Sequence, residues 1–424
     1  MLACALLLAA CRQTYPTANP SSIASATTVP SPAVGVTAVA TVSTATTVRP
    51  VPVATTPSTS AAAGGTSTVS AAMPAAAAIA QSAGVTNEAN GTSSSSSKAA
   101  TFSARVTGTI AVPGDRGFLA MAVGSGGQLW VTQEGDPAQR PVVGHLLRVD
   151  AASGKVALDR PVGGFPGAVA FSGSYVWVVN GIGDGKTPEA GANTVVQIAP
   201  ATGAVMHRYQ INQPYGVAAS GDAAWVAAAG DGDVTRIVRL DGKAGTVEPA
   251  TTLRGTAQSV GAPDIVVGPG AVYVVVLVAE PGQPARDVVY RLDGATDQIS
   301  AQRTLPTVGT ASLAYGDGVV FVAVATVQAG GVYQLDGRTL GLARTVTTEA
   351  ARAITTANGH LWALFNNGGS RPTAVLAPYA MASGRLVAPP VALPAGDPNL
   401  LAADNARVWV APEGRYEVVE VAPS

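Results

Sequence analysis

An all-β fold, a closed ring of seven four-stranded sheets, is predicted by three observations. A short β-run with a large aromatic at its centre recurs along the chain. The slot holds Trp130, Trp177, Trp225, Tyr273, Phe321, Trp362 and Trp409, at steps of 47, 48, 48, 48, 41 and 47 residues. All five tryptophans of the 424-residue chain fall in that slot, so the aromatic belongs to the repeat rather than to one site. Each period also holds several short runs rich in Val, Ile and aromatics, bounded by Gly, Pro, Asn and Asp, as strands and turns are. A period of roughly 40–50 residues with several strands per unit is that of β-propeller blades. The seven aromatics are then wedges between sheets, each burying on the order of 150–250 Å².

The chain opens MLACALLLAAC. Leu8-Ala9-Ala10-Cys11 resembles the bacterial lipobox, which implies cleavage before Cys11 and lipidation of its thiol and new amino terminus. No basic segment precedes the apolar run, although secretory leaders begin with one; a start codon placed too late accounts for this. Residues 1–11 therefore read as a lipoprotein signal peptide. Arg12 follows, where an Asp would have suggested retention at an inner membrane. Cys4 and Cys11 are the two cysteines, so the remainder has no thiol, disulfide or cysteine metal ligand.

From residue 12 to 100 the chain is dominated by Ala, Thr, Ser, Val and Pro, and between Arg12 and Lys98 its charges are Arg12, Arg49, Glu88 and Lys98. Such a segment cannot offset the entropy of ordering and is expected to be a disordered tether. As a flexible coil of about 89 residues it spans roughly 50 Å.

The folded domain is expected over 101–424. A lone strand, Ser103 to Val112, comes first, and units begin near Gly117, Phe165, Gln213, Gly261, Gly309, Ala351 and Asp397. Unit two shows the pattern whole: Gly167 to Ser172, Tyr175 to Asn180, Thr194 to Ala199 and Ala204 to Ile211. Near-continuous apolar runs are expected because both faces of a blade pack on neighbours. The seventh unit lacks a fourth strand and the opening strand lacks a sheet. Strand 103–112 is therefore expected to complete blade seven and close the ring. The turn between third and fourth strands repeats as Asp150 to Lys155, Pro200 to Gly203, Asp241 to Gly245, Asp293 to Asp297 and Asp336 to Thr339. There Asp accepts backbone N–H bonds and Gly supplies positive φ.

A strand–aromatic–strand unit followed by [VI]-x-[RQ]-[LIV]-D-x-x-[ST]-G-x-[VI] resembles the YVTN/YncE-type and virginiamycin-B-lyase-like propeller repeats, over about residues 103–424. The resemblance implies the fold. For the lyase-like members it also implies a histidine, an acid and a divalent metal near the central pocket. The Asp150–Lys155 turn further resembles quinoprotein repeats, but Val156 to Arg160 lacks their docking Trp, so no pyrroloquinoline quinone is expected.

Composition narrows the chemistry. The net charge is −1 with 12% charged residues, so no nucleic-acid partner is expected. No serine elbow, phosphate loop, CxxC or HExxH is present. Of the histidines, His207 falls in an outer strand and His360 in a hairpin turn on the face opposite the second-to-third-strand loops. His145 is the one placed to approach the loop face, beside Glu134 or Asp136. Tyr215, Asp264, Arg352 and Asn399 are placed at the channel mouth, each just before an inner strand. These four, with Glu134 and His145, form the expected binding face. No catalytic residue, metal ligand or cofactor is assigned, a divalent cation being the one weak candidate.

The reading is a lipid-anchored, extracytoplasmic β-propeller of the cell envelope that works as a binding, sensor or scaffold module. Its partners are expected to be the membrane, through the lipid on Cys11, and an envelope protein, glycan or small ligand. A metal-dependent lyase or hydrolase on the same fold is the first alternative. A structural envelope protein without a discrete ligand is the second.

Overall fold

The structure, a computed structural model, describes residues 102–112, 117–136, 138–139, 141–181, 191–256, 265–326, 330–367, 373–394, 397–413 and 417–423. The chain divides into two compact units, Met1–Gly91 and Thr92–Ser424, and every described residue belongs to the second. The leader, Cys11, the tether and Asp264 lie outside the described residues.

The described elements are strands, with one short 3-10 turn at Ser125–Gly127. They form seven sheets, each a meander ordered inner, second, third, outer. Blade one is Phe118–Val123, Gln128–Gln133, Gly144–Asp150 and Lys155–Gly163. Blade two is Pro166–Phe171, Val176–Asn180, Thr194–Ile198 and Val205–Gln210. Blade three is Pro214–Ser220, Ala223–Ala229, Val234–Asp241 and an outer strand in two pieces, Thr246–Val247 and Thr251–Arg254, both paired to Val234–Asp241. Pro249 lies in the gap, where a residue without an N–H interrupts the ladder. Blade four is Ile265–Gly268, Ala271–Val278, Arg286–Asp293 and Ile299–Thr304. Blade five is Thr310–Gly316, Val319–Ala325, Gly330–Asp336 and Leu342–Thr347. Blade six is Ala353–Ala357, His360–Asn367, Thr373–Ala380 and the two-residue Val391–Ala392. Blade seven is Asp397–Ala403, Val408–Glu413 and Glu417–Pro423, completed on its outer side by Ala104–Ala111. Inner strands touch in the order one to seven and back to one, so the ring is closed.

Among the described residues there is no single central core. Buried apolar side chains fall into seven clusters, and each lies at one seam between two successive blades. Every cluster contains one of the seven repeat aromatics. Trp130, Trp177, Trp362 and Trp409 are fully buried, and Phe321, Tyr273 and Trp225 nearly so. A blade is thus stable only against its neighbours, which is why the repeats must form a closed ring.

The Arg/Gln of the repeat motif turns out to be an inter-blade latch. It lies directly across the ladder from the aromatic: Trp130 opposite Arg148, Trp177 opposite Gln197, Trp225 opposite Arg239, Tyr273 opposite Arg291. In blades one to four it donates from there to a carbonyl in the next blade's third-to-fourth-strand turn. Arg148 reaches Pro200 O at 2.6 Å, Gln197 reaches Gly242 O at 2.9 Å, and Arg291 reaches Gly337 O at 3.1 Å. The Arg148 and Arg239 guanidiniums also stack on Trp130 and Trp225, each 5.7 Å from the ring centroid. Gly242 must be glycine for this approach, because a Cβ there would lie 2.5 Å from Gln197 Nε2 and 2.8 Å from the Trp177 ring.

Blades six and seven carry Pro378 and Glu420 opposite their tryptophans, so their seams are sealed differently. No third-to-fourth turn exists in blade seven, and Phe102 takes its place, 4.3 Å from the His360 ring and 6.2 Å from that of Trp362. Ala104–Ala111 runs antiparallel to Glu417–Pro423 with an irregularity between Val106 and Gly108. Thr107 sits at that irregularity and donates to Glu420 Oε1 at 2.8 Å. Arg407 donates to Glu420 Oε2 at 3.2 Å while stacking on Trp409.

The turn aspartates act as read from the sequence. Asp241 Oδ1 accepts from the N–H groups of Lys243 and Ala244 at 2.9 and 2.8 Å. Asp150, Asp293 and Asp336 do the same in their own turns.

Candidate functional site

Strand register orients the ring. The N-terminal ends of the inner strands pair with the C-terminal ends of the second strands, Pro166 with Asn180 and Pro214 with Ala228. The channel mouth at that end is therefore ringed by the loops from second to third strands.

Four blades break their ladders at one equivalent place, the second residue of the inner strand (the third in blade seven). The residues left out of register are Leu119, Gly167, Tyr215 and Asn399. Three of these four follow a proline, namely Pro166, Pro214 and Pro398, which has no N–H to offer the second strand. A bulge there bends the strand and re-aims the extra side chain. Two of the mouth residues read from the sequence, Tyr215 and Asn399, are thus bulge residues. The Phe-Pro-Gly, Gln-Pro-Tyr and Asp-Pro-Asn openings of blades two, three and seven carry a visible sequence signal for the device, whereas Gly117-Phe118-Leu119 of blade one carries none.

Three of these bulge residues, Gly167, Tyr215 and Asn399, line a cavity of about 90 Å³ among the inner strands. Blades one, two, three, six and seven line it; Ala120, Ala168, Val217, Ile354 and Leu400 supply apolar walls. Among the described residues, Tyr215 and Asn399 are the polar side chains in the lining, which includes no carboxylate, Lys, Arg or His. The Tyr215 hydroxyl is 2.9 Å from Thr235 Oγ1, and the Thr235 hydroxyl donates to Gly255 O at 2.9 Å, so Tyr215 donates into blade three. Asn399 is half-buried, and its amide makes no hydrogen bond or ring contact within the chain.

Of the other expected residues, Arg352, Glu134 and His145 lie outside the cavity lining. Arg352 is exposed just ahead of the blade-six inner strand, and its backbone N–H donates to Leu364 O at 2.7 Å. Glu134 is exposed at the end of blade one's second strand. His145 opens the third strand of blade one, and its Nδ1 lies 2.5 Å from Oδ1 of Asp159 on the outer strand of that blade. The structure does not bring Glu134, His145 and Arg352 together with Tyr215 and Asn399 in one pocket. Among the described residues, no group of three His, Cys, Asp or Glu side chains is arranged to hold a metal ion. On the loop face Glu280 is held between Arg254 and Arg286, each at 2.8 Å.

No protein-family model matches the chain, and no curated protein matches it significantly. Solved structures do. The Pan2 WD40 domain of Neurospora crassa is 10% identical with a TM-score of 0.54, covering 75% of this chain and 95% of that one. A chain of the mitotic checkpoint complex is 10% identical with a TM-score of 0.53, over 80% and 98%. The RRP9 WD40 repeats are 9% identical with a TM-score of 0.52, over 76% and 100%. At these identities the likeness concerns the propeller fold.

Proposed function

We propose that this chain is a binding module: a β-propeller of the YVTN/YncE-like kind, held at the cell envelope by a lipid on Cys11 and a polar tether, that presents its channel-mouth face to a protein partner. The observation that carries the reading is the cavity. Its volume of about 90 Å³ is well below the roughly 300–1,000 Å³ of clefts that enclose a free ligand. Among the described residues its lining offers no acid–base pair for chemistry. A small, apolar-walled mouth surrounded by loops of unequal length suits recognition of a larger surface, where loops carry most contacts. Propeller neighbours include a chain of a multiprotein assembly, the mitotic checkpoint complex, which supports protein binding as a use of this fold. For a metal-dependent lyase, His145 would have to face the mouth with further acids; its Asp159 partner holds it at the outer part of blade one instead.

The test is selection of a displayed random-peptide library on the full chain. Enriched peptides are expected to bind wild type and to weaken by roughly tenfold or more on Leu119→Arg and Arg352→Glu, as hot-spot disruption does. Ser174→Arg, in a hairpin turn at the other end of blade two, should leave binding unchanged. No enrichment, or equal binding to all variants, would overturn the reading.

A further inference from the structure

Resting on that reading, we infer that the cavity receives one uncharged, amide-bearing side chain, Asn or Gln, from the protein partner, and that Asn399 is the residue that recognises it.

Three observations converge. The walls are Ala, Val, Ile, Leu, Met and Gly from five blades, so the body of the inserted group must be apolar. Among the described residues no charged group lines the cavity, so a Lys, Arg, Asp or Glu head would lose water and find no counter-charge on these walls. The remaining polarity is asymmetric. Tyr215 has committed its hydroxyl to Thr235, while Asn399 has an acceptor oxygen and two N–H donors with no partner in the chain. Its bulge after Pro398 places it at the cavity edge.

A purely aliphatic insert would strip water from the Asn399 amide and leave it unpaired, which is unfavourable. A hydroxyl would answer one of its groups. A second primary amide answers both, donating to the Asn399 oxygen and accepting from its nitrogen. The small volume explains why this group must come on a larger partner. The cavity has room for a side chain, and the rest of the affinity must come from the loops around the mouth.

The experiment uses the peptides selected above. In each, the residue whose alanine replacement costs most is changed among Gln, Glu, Lys and Leu, and binding is measured by calorimetry on wild type, Asn399→Leu and Asn399→Ala. On wild type, one position should require Gln or Asn, with Glu and Lys weaker by roughly 10- to 100-fold. On both variants the preference for Gln over Leu should vanish, with melting temperatures confirming that each variant is folded. A required charged residue, or a Gln preference that survives in both variants, overturns the inference while leaving the mouth as a protein-binding face. Peptides indifferent to Leu119→Arg and Arg352→Glu overturn the binding reading itself.

Discussion

Removing the Glu420 carboxylate tests whether ring closure depends on a specific polar lock. Glu420 lies on the last strand and is reached by Thr107, 313 residues earlier, at 2.8 Å and by Arg407 at 3.2 Å. A hydrogen bond to a charged acceptor contributes about 1.5–3 kcal/mol when well shielded. The Arg407 side chain is 34% exposed and that of Glu420 14%, so solvent reduces their pair to about 1 kcal/mol. The Thr107 bond, on an exposed residue, belongs at the low end, about 1.5 kcal/mol. Glu420→Ala should therefore cost about 2–3 kcal/mol in all. At roughly 2 °C per kcal/mol for a domain of this size, the melting temperature falls by about 4–6 °C. Glu420→Gln, which keeps an acceptor for Thr107, should fall by about half as much. Thr107→Val combined with Glu420→Ala should show a coupling of about 1 kcal/mol. Amide exchange should accelerate first in Ala104–Ala111, because the lock joins that strand to the rest of blade seven. Calorimetry and hydrogen exchange read these quantities. Additive effects within about 0.3 kcal/mol, or uniform exchange across all blades, would falsify the lock.

Trp130→Ala empties a fully buried seam position and removes the ring on which Arg148 stacks, so a loss of about 3–5 kcal/mol is expected in denaturant unfolding. Arg291→Met, which keeps the stem but loses the bond to Gly337 O, should cost about 1–2 kcal/mol, and Arg303→Met on the exposed outer strand almost nothing. Asp150, Asp241 and Asp293 have carboxyls held below the usual value chiefly by turn N–H donors, and Asp336 chiefly by the Thr339 hydroxyl. A depressed folded value means that the unfolded chain binds protons first, so their stabilisation is present above about pH 4 and is lost as pH falls through the folded values. A melting profile that falls in that window, and flattens in Asp293→Asn/Asp336→Asn, is expected. Cys11→Ser should abolish palmitate labelling and shift the chain from the membrane to the soluble fraction; unchanged fractionation would remove the lipid anchor from the proposal.

Blade number, strand order and the inner-strand starts were legible in the amino-acid sequence because they rest on local physics. A buried aromatic every turn of the repeat, β-branched runs and Asp/Gly turns act within about 50 residues of chain. Trp130, Trp177 and their five equivalents could be placed at seams for that reason. Tyr215 and Asn399 could be placed at the mouth because a residue ahead of an inner strand has few other places to go. Other features exist only between blades. The Arg/Gln of the motif is a plain alternating position until the next blade's turn carbonyl is set beside it, as Gly242 O is beside Gln197. Phe102 looks like a stray aromatic until closure brings it onto His360 and Trp362. Asp159 lies 14 residues from His145, yet only third-to-fourth-strand pairing brings the two side chains together at the outer part of blade one. The cavity, too, is set by five inner strands at once: its width depends on how far seven blades close on one another, and no single repeat encodes that distance. Local chemistry determined the blades; the ring decided which of their side chains meet and which, like Asn399, are left without a partner.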